Sequence, residues 1–464
     1  MQSKQQTDTD LHRVILFASD GRALLVSQEG GRFTLPTVPL PRRQRVAEHL
    51  TAFIHREWSQ DVVSLFGFDA PSTTNFARYQ VMESTVAQRP TISGFRWVSI
   101  SSLEETAFEE SDDHRAIEIA YAKCEEHAGD HGHAPFGQLG WFPRLAEWVR
   151  DQIRHEGLFL NGRFAQLNAS PTFGLVRFET NGSAVWFKAV GEPNLREYPI
   201  TMALAQYFPA FVPRVIATRQ DWNAWLAVEI PGTHPGESSD GDTWPTIAAT
   251  LAELQFSSHG YALHLISDGC FDVRVTTLLD LVTPFFESMA GLMEKQQKPS
   301  PAPLCLQELI SIGNMLREAL QTLEESDIPN ALGHLDFNPG NVLVSASRCI
   351  FLDWAEACVG HPFFTFEYVL EHAQRIHGTD RSQDQSIASS YAKRWESLVG
   401  KRKIVAALQA SPLCAAFAYA AHHPAWRTSQ AIRGPEGAAY LRGLTRRMKR
   451  EADILRARGA VAVS

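Results

Sequence analysis

The sequence predicts an α+β chain of several domains: a compact mixed α+β unit, then a small lobe of antiparallel strands, then a large helical lobe. Three observations predict it. At 464 residues the chain exceeds one ordinary core, and the length favours about two to four domains. Strand and helix patterns alternate through the first 125 or so residues, and strand patterns prevail from Phe164 to Ile230. Beyond Trp244 the apolar spacing is helical nearly everywhere, apart from one apolar hairpin around Val342 to Leu352,. The boundaries fall at 1–126 for the first domain, 127–157 for a linker and leading helix, 158–232 for the small lobe and hinge, and 233–464 for the helical lobe.

The elements follow in order. "RVILFASDGRALLVSQ", Arg13 to Gln28, reads as two strands joined at Asp20-Gly21,. "LPTVPLP" reads as a Pro-rich connector, and Val46, Leu50, Phe53 and Ile54 then carry the spacing of an amphipathic helix,. Strands are expected at "FARYQVM" and "GFRWVSI", and Ser102 with Glu105 offers a helix start,. The Gly-, His- and charge-rich "EEHAGDHGHAPFG" marks the boundary,. Its His127, His131 and His133 would bind a metal or belong to a solvated linker, and no Cys/His zinc spacing accompanies them,.

"WFPRLAEWVRDQI" reads as the leading amphipathic helix. Three strands should follow from Phe164, with "NASPTFG" as the first loop and Asn181-Gly182 as a tight turn,. In "SAVWFKAV" a period of two puts Trp186 and Lys188 on one face and Val185 and Phe187 on the other,. A helix over Asn194–Tyr207 and a strand pair, "RVIATRQ" and "NAWLAVEI", lead to a hinge at Pro231-Gly232. A sheet-rich lobe, a hinge and a helical lobe imply a bilobal arrangement with a cleft, where ligands commonly bind.

Charge and cysteines narrow the function classes. Lys+Arg number 43 against 52 Asp+Glu, a formal net charge of -9, which argues against nucleic acid or an anionic membrane as partner and tolerates a cationic substrate. The six cysteines lie far apart with no C-x-x-C pair, as in a protein with reduced thiols. "MQSKQQTDTD" is polar, and no run approaches the roughly 18 apolar residues of a membrane helix,. The reading is a soluble, cytoplasmic protein.

The chemistry concentrates in "ALGHLDFNPGNVLVSASRCIFLDWAEA", Ala331 to Ala357. His334, Asp336 and Asn341 have the H-x-D-x-x-x-x-N spacing of a kinase catalytic loop, and Asp353 closes the second strand where a metal-binding Asp is needed,. Asp336, with an unperturbed pKa of about 3.9, stays ionised and can orient a hydroxyl and accept its proton. Mg²⁺ prefers hard oxygen ligands, which Asn341 and Asp353 supply, and His334 fixes the loop. Pro339-Gly340 supplies the bend. Upstream, Lys188 could pair the α/β-phosphates of a nucleotide while Glu197 holds the lysine, and "NASPTFG" could cover the phosphates although it lacks G-x-G-x-x-G,.

At these residues the chain resembles the aminoglycoside phosphotransferase and choline kinase-like family, small-molecule kinases of the protein-kinase-like fold. "HLDFNPGN" and "FLDW" resemble its catalytic loop and metal-binding Asp; "VWFKAV", "LREYPITMALAQYFPAFVPRVIA" and "WLAVEIPG" resemble its small lobe and hinge. The resemblance runs over roughly 135–354. It implies ATP and Mg²⁺ as cofactors, Asp336 as catalytic base, Asn341 and Asp353 as metal ligands, Lys188 and Glu197 at the nucleotide, and the backbone around Glu229 and Ile230 reading adenine, with His334 fixing the catalytic loop. The acceptor would be a hydroxyl of a small polar metabolite or an aminoglycoside-like molecule. Leu335 stands where glycine is usual and Asn338 where histidine is common.

The first domain resembles a degenerate Nudix domain, which implies an α/β/α sandwich. Aligned on Glu48, the box reaches Arg56-Glu57, but its glycine falls on Arg42 and its paired glutamates on Gln60 and Asp61. Two other readings stand beside the kinase: a catalytically weak nucleotide-binding regulator, and a first domain acting as a nucleoside-diphosphate hydrolase. Acceptor determinants are expected near Glu356, His361 and His422.

Overall fold

A computed structural model describes residues 9–463 apart from 43, 72–75, 90, 130–133, 237–242, 346–347, 379–380, 423–425 and 428–434. It divides into two compact units, one of residues 1–198 with 214–229 and one of 199–213 with 230–464. Residues 1–126 and most of 158–232, expected as separate domains, fall in one unit because they share an apolar core.

The first unit opens with a seven-stranded mixed sheet. Its strands are β1 (Thr9–Phe17), β2 (Ala23–Glu29), β3 (Arg32–Thr34), β4 (Thr37–Pro41), β5 (Val62–Pro71), β6 (Phe76–Ser84) and β7 (Phe95–Ser99), with helix α1 (Val46–Trp58) between β4 and β5. β1 pairs antiparallel with β2 and β4 and parallel with β6. The Pro-rich connector is thus a strand: Val38 and Leu40 face inward, and pairing on one side only tolerates prolines without N–H donors,. β5 absorbs the "VVSLF" run that trails the helix pattern.

Strand alternation feeds two faces. Val14 and Leu16 meet Leu50 and Ile54 of α1, while Ile15 and Phe17 meet Ala116, Ile117 and Ala120 of α2 (Ser111–Gly129). A helix on each face makes this an α/β/α layer arrangement. α2 begins nine residues after the Ser102 start expected from sequence, since Ser102 Oγ bonds back to Ser99 O at 2.9 Å and Leu103 is extended. The His-rich segment is not a plain linker: α2 continues to Gly129, and Phe136 is buried against Trp141, Phe187 and Trp222. The side chain of His127, and all of His131 and His133, lie outside the described residues.

Helix α3 (Trp141–Ile153) buries Trp141, Leu145, Val149 and Ile153 in the core that also takes Val176, Phe178, Val185 and Phe187 from a five-stranded antiparallel sheet. That sheet consists of β8 (Leu160–Ser170), β9 (Phe173–Thr180), β10 (Val185–Ala189), β11 (Val215–Arg219) and β12 (Ala224–Val228), with α4 (Glu197–Tyr207) between β10 and β11. One buried side chain stitches the two sheets. Gln166 of β8, 1% exposed, accepts the Ser64 N–H at 2.7 Å and donates to the Ser64 carbonyl at 2.9 Å, where the β5–β6 register shifts. Gln166→Leu orphans both backbone groups, so it should cost roughly 2–4 kcal/mol. The readout is a lower urea midpoint at unchanged m.

Glu83 of β6 is buried and accepts the Gly140 N–H at 2.8 and 3.0 Å, just ahead of α3. Burial pushes its pKa from the usual 4.5 to about 7, against the lowering effect of that hydrogen bond. Between those values the native state keeps a proton the unfolded chain has lost, so stability falls as pH rises through this window. Glu83→Gln should remove that fall. Denaturation at pH 5 and pH 8 should show a difference of roughly 3 kcal/mol between variant and parent, one pKa unit being about 1.4 kcal/mol.

The second unit contains the helices α5 (Thr243–Ser258), α6 (Ala262–Ser267), α7 (Val275–Glu294), α8 (Leu306–Glu324), α9 (Phe363–His377), α10 (Arg381–Trp395), α11 (Lys401–His422) and α12 (Pro435–Val463). α11 is long and apolar enough to span a bilayer, with a mean hydropathy of 1.6, where the sequence reading found no such run. Its Ala407, Leu413, Phe417 and Ala421 are buried in the core of this unit. The expected hairpin is present as β15 (Val342–Ser345) and β16 (Arg348–Phe351), in register Val342 to Phe351. A second sheet was not expected: β14 (Ala331–His334) runs antiparallel to β17 (Ala357–Gly360), which pairs in parallel with β13 (Phe271–Val273). A Cβ on Gly333 would lie 2.8 Å from both Cys358 Sγ and Thr365 Oγ1, so β14 can lie this close only with glycine there.

Candidate functional site

In the first unit the alternation of β10 holds: Phe187 enters the core and Lys188 emerges on the opposite face. Lys188 Nζ meets Glu197 Oε1 at 2.5 Å, and the carboxylate is 2% exposed at the first turn of α4. The ammonium also lies 5.8 Å from the ring of Trp225, its cross-strand neighbour on β12. Such a contact adds quadrupole attraction to the ion pair, and the sequence reading did not single out Trp225.

"NASPTFG" is tighter than a loop. β8 and β9 pair through Ser170 and Phe173, leaving Pro171 and Thr172 as the turn. A Cβ on Gly191 would come within 2.4 Å of Thr172, so the turn packs onto the chain just after β10. Glu229 does more than contribute backbone. Its N–H donates to Ala184 O at 2.9 Å, and its carboxylate takes Arg177 at 2.6 and 2.9 Å and Trp186 Nε1 at 3.1 Å. The Arg177 guanidinium holds the Glu229 carboxyl below the usual range. Any adenine contact from the Glu229 N–H would therefore compete with a sheet hydrogen bond. Ile230 begins the second unit as irregular backbone, and three residues on Thr233 exchanges two hydrogen bonds with Val344 of β15 at 3.0 and 2.9 Å.

In the second unit β14 delivers the "HLDFNPGN" segment. His334 is 1% exposed. Its Nε2 bonds the Leu352 carbonyl at 3.1 Å, its backbone N–H donates to Thr365 Oγ1 at 2.8 Å, and its ring lies 5.0 Å from that of Trp354. A carbonyl accepts only from an N–H, so Nε2 carries the proton, and burial lowers the pKa to keep the ring neutral,. His334 ties the loop to the end of the hairpin.

Beyond it the chain turns at Asp336, which faces solvent, while Leu335 and Phe337 are buried. Leu335, where glycine is usual in the family it resembles, joins the core and donates its N–H to Glu356 O at 3.0 Å. Asn338 and Asn341 both donate to the Asp336 carbonyl, at 3.1 and 2.9 Å, and Asn338 Oδ1 caps the 3-10 turn Pro339–Asn341 through the Gly340 N–H at 2.9 Å. Two amides thus hold one carbonyl and present the Asp336 carboxylate outward.

Asp353 has the left-handed conformation, φ 60°, two residues past the end of β16. A non-glycine residue in that region is uncommon and costs on the order of 1 kcal/mol or more, which surrounding structure must sustain. Asp336 feels partial burial and the negative charges of Glu356 and Asp353, which raise its pKa above the ordinary carboxylate range. His422 approaches Glu356 at 3.6 Å and stacks edge-on against Phe271 at 4.8 Å. His361, in contrast, is a buried core residue: it contacts Phe363 and Phe364 and accepts the Phe363 N–H, and burial lowers its pKa to about 3.

Among the described residues no group of three or more His, Cys, Asp or Glu side chains could hold a metal ion. Asn341 and Asp353 fit Mg²⁺ only as two oxygen ligands among others, the manner in which Mg²⁺ is held when phosphates and water complete its octahedron. The residues aligned with the Nudix box have other occupations: Glu57 pairs with Arg56 at 2.7 Å, Asp61 with His55 at 2.8 Å, and Gln60, an amide, is buried with Nε2 on Ser59 O.

Comparison with known proteins bears on the same residues. No curated protein matches the chain. Among solved structures it resembles a macrolide 2'-phosphotransferase of Brachybacterium faecium (15% identity, 65% of this chain and 98% of that one, TM-score 0.41). It also resembles an ethanolamine kinase of Plasmodium vivax (12%, 69% and 90%, TM-score 0.47) and a choline kinase of Streptococcus pneumoniae (12%, 66% and 99%, TM-score 0.41). Residues 192–398, which include Glu197, His334, Asp336, Asn341 and Asp353, match the phosphotransferase enzyme family.

Proposed function

We propose that the protein transfers the γ-phosphoryl group of ATP to a hydroxyl of a small polar molecule, with Mg²⁺ as the divalent ion. The observation that carries this reading is the loop after β14, in which two asparagines clamp the Asp336 carbonyl and present its carboxylate. In this reading Asp336 accepts the proton of the attacking hydroxyl as its oxygen bonds to the γ-phosphorus and the bridging oxygen departs with ADP. The raised pKa makes the carboxylate a better proton acceptor. Asn341, whose Nδ2 is engaged with the Asp336 carbonyl, offers Oδ1 to the cation, and Asp353 offers a carboxylate oxygen. When bound, Mg²⁺ would neutralise charge developing on the phosphates. Lys188, oriented by Glu197, supplies a positive charge for the α/β-phosphates. His334 is a positioning residue here, neutral and engaged with Leu352.

The test is incubation with ATP, Mg²⁺ and a library of hydroxyl-bearing metabolites and aminoglycosides, with products read by mass spectrometry. A product 80 Da heavier than its acceptor, lost on chelation with EDTA, is expected from the mass of a transferred phosphoryl group. Tight ATP binding with no phosphorylated product from any acceptor would favour a regulator instead.

A further inference from the structure

A cavity of about 490 Å³ opens in the first unit where the N-terminal sheet meets β8. Gln44 and Arg45 at the start of α1, Ser64 of β5, Gln80 of β6 and Asn168 and Ala169 of β8 line it. Its size falls among small-molecule sites, roughly 300–1,000 Å³. None of the assigned phosphotransfer residues borders it.

The lining has a definite chemistry. Three carboxamides each offer a donor and an acceptor, Arg45 adds a guanidinium, and among the described residues no acidic side chain lines it,. Glu48, in the first turn of α1, is not among the lining residues. Arg45 occupies the N-cap of α1 without a side-chain cap, so the first amides of a 13-residue helix add partial positive charge on the same side,. Asn168 Oδ1 takes the Ala169 N–H at 2.9 Å, so the donor it offers a ligand is Nδ2.

Gly67 is a second, independent sign of a shaped wall. It pairs with Gln80 across β5 and β6, and a Cβ there would lie 2.3 Å from Gln80 Nε2. The missing side chain lets the carboxamide lie across the strand. The Gln166 side chain ties β8 to Ser64, which lines the cavity, through two hydrogen bonds.

We infer that this cavity binds a small polyhydroxylated organic anion, its carboxylate or phosphate ester on Arg45 and the α1 N-terminus and its hydroxyls on the carboxamides. The inference goes beyond the phosphotransfer reading and does not depend on it.

The test uses the full chain without nucleotide and three probes: gluconate, glycerol 2-phosphate and neutral sorbitol. Thermal denaturation and equilibrium dialysis should show saturable binding of at least one anion, and which one binds separates carboxylate from phosphate ester. Sorbitol should bind about tenfold or more weakly, since a charge-assisted hydrogen bond is lost. Arg45→Ala, at an exposed position, should weaken the anion by a similar factor, about tenfold. Gly67→Ala, which displaces Gln80, should weaken it as well while Arg45 is intact. Absence of saturable binding of both anions, equal affinity for sorbitol, or unchanged affinity in Arg45→Ala would overturn the assignment.

Discussion

Asp336→Ala is expected to lower kcat by about 10²–10⁴, the usual contribution of a positioned general base, with circular dichroism and melting temperature close to those of the parent. The fold should survive because the carboxylate faces solvent, and the hydrogen bonds that shape the turn run from Asn338 and Asn341 to the backbone carbonyl. Asn338 Nδ2 approaches the carboxylate itself only at 3.4 Å. The parent enzyme carries a second signature. Partial burial, Glu356 and Asp353 raise the Asp336 pKa, so the acid limb of kcat should lie above the ordinary carboxylate range, and Glu356→Gln should move it down. Unchanged product formation in Asp336→Ala, or an acid limb indifferent to Glu356, would remove this residue from the reaction.

Lys188→Ala has the largest expected effect on stability. Glu197 is 2% exposed and meets Lys188 at 2.5 Å. Removing one partner of a buried pair leaves the other charge poorly compensated, which costs about 3–5 kcal/mol. The KM for ATP should rise in the same variant. The double variant Lys188→Met, Glu197→Gln separates the two roles: it removes both charges and should recover most of the stability, but not nucleotide use. Recovery of activity along with stability would mean that the pair is structural only.

What was legible in the sequence had a short range. The β15–β16 hairpin could be read because two β-prone runs flank a short turn, and the face of Lys188 because strand alternation is a local rule,. The order of Lys188, Glu197, His334, Asp336, Asn341 and Asp353 was likewise on the page. Their surroundings were not. No local pattern announces that Arg177 and Trp186 occupy the Glu229 carboxylate, or that Glu356 lies close enough to shift Asp336.

The larger departures have a common cause. β4 was masked by its prolines, and the short strands β13, β14 and β17 lie in a stretch where helical spacing dominates. Their pairing is settled by partners far away in sequence: Phe271 lies opposite Cys358, and Ala331 opposite Gly360. The extent of the first unit depends on Phe136 and α3 filling the space between two sheets, a packing result rather than a composition result.

The sequence by itself determined the residue types and their order, the alternating and helical faces, and the match of residues 192–398 to the phosphotransferase enzyme family. Tertiary structure alone decided which charges meet, how far burial moves Glu83, His334 and Asp336 from their ordinary pKa values, and where a cavity remains. The reason is physical: backbone periodicity acts over a few residues, whereas desolvation and charge pairing depend on groups that only folding brings together.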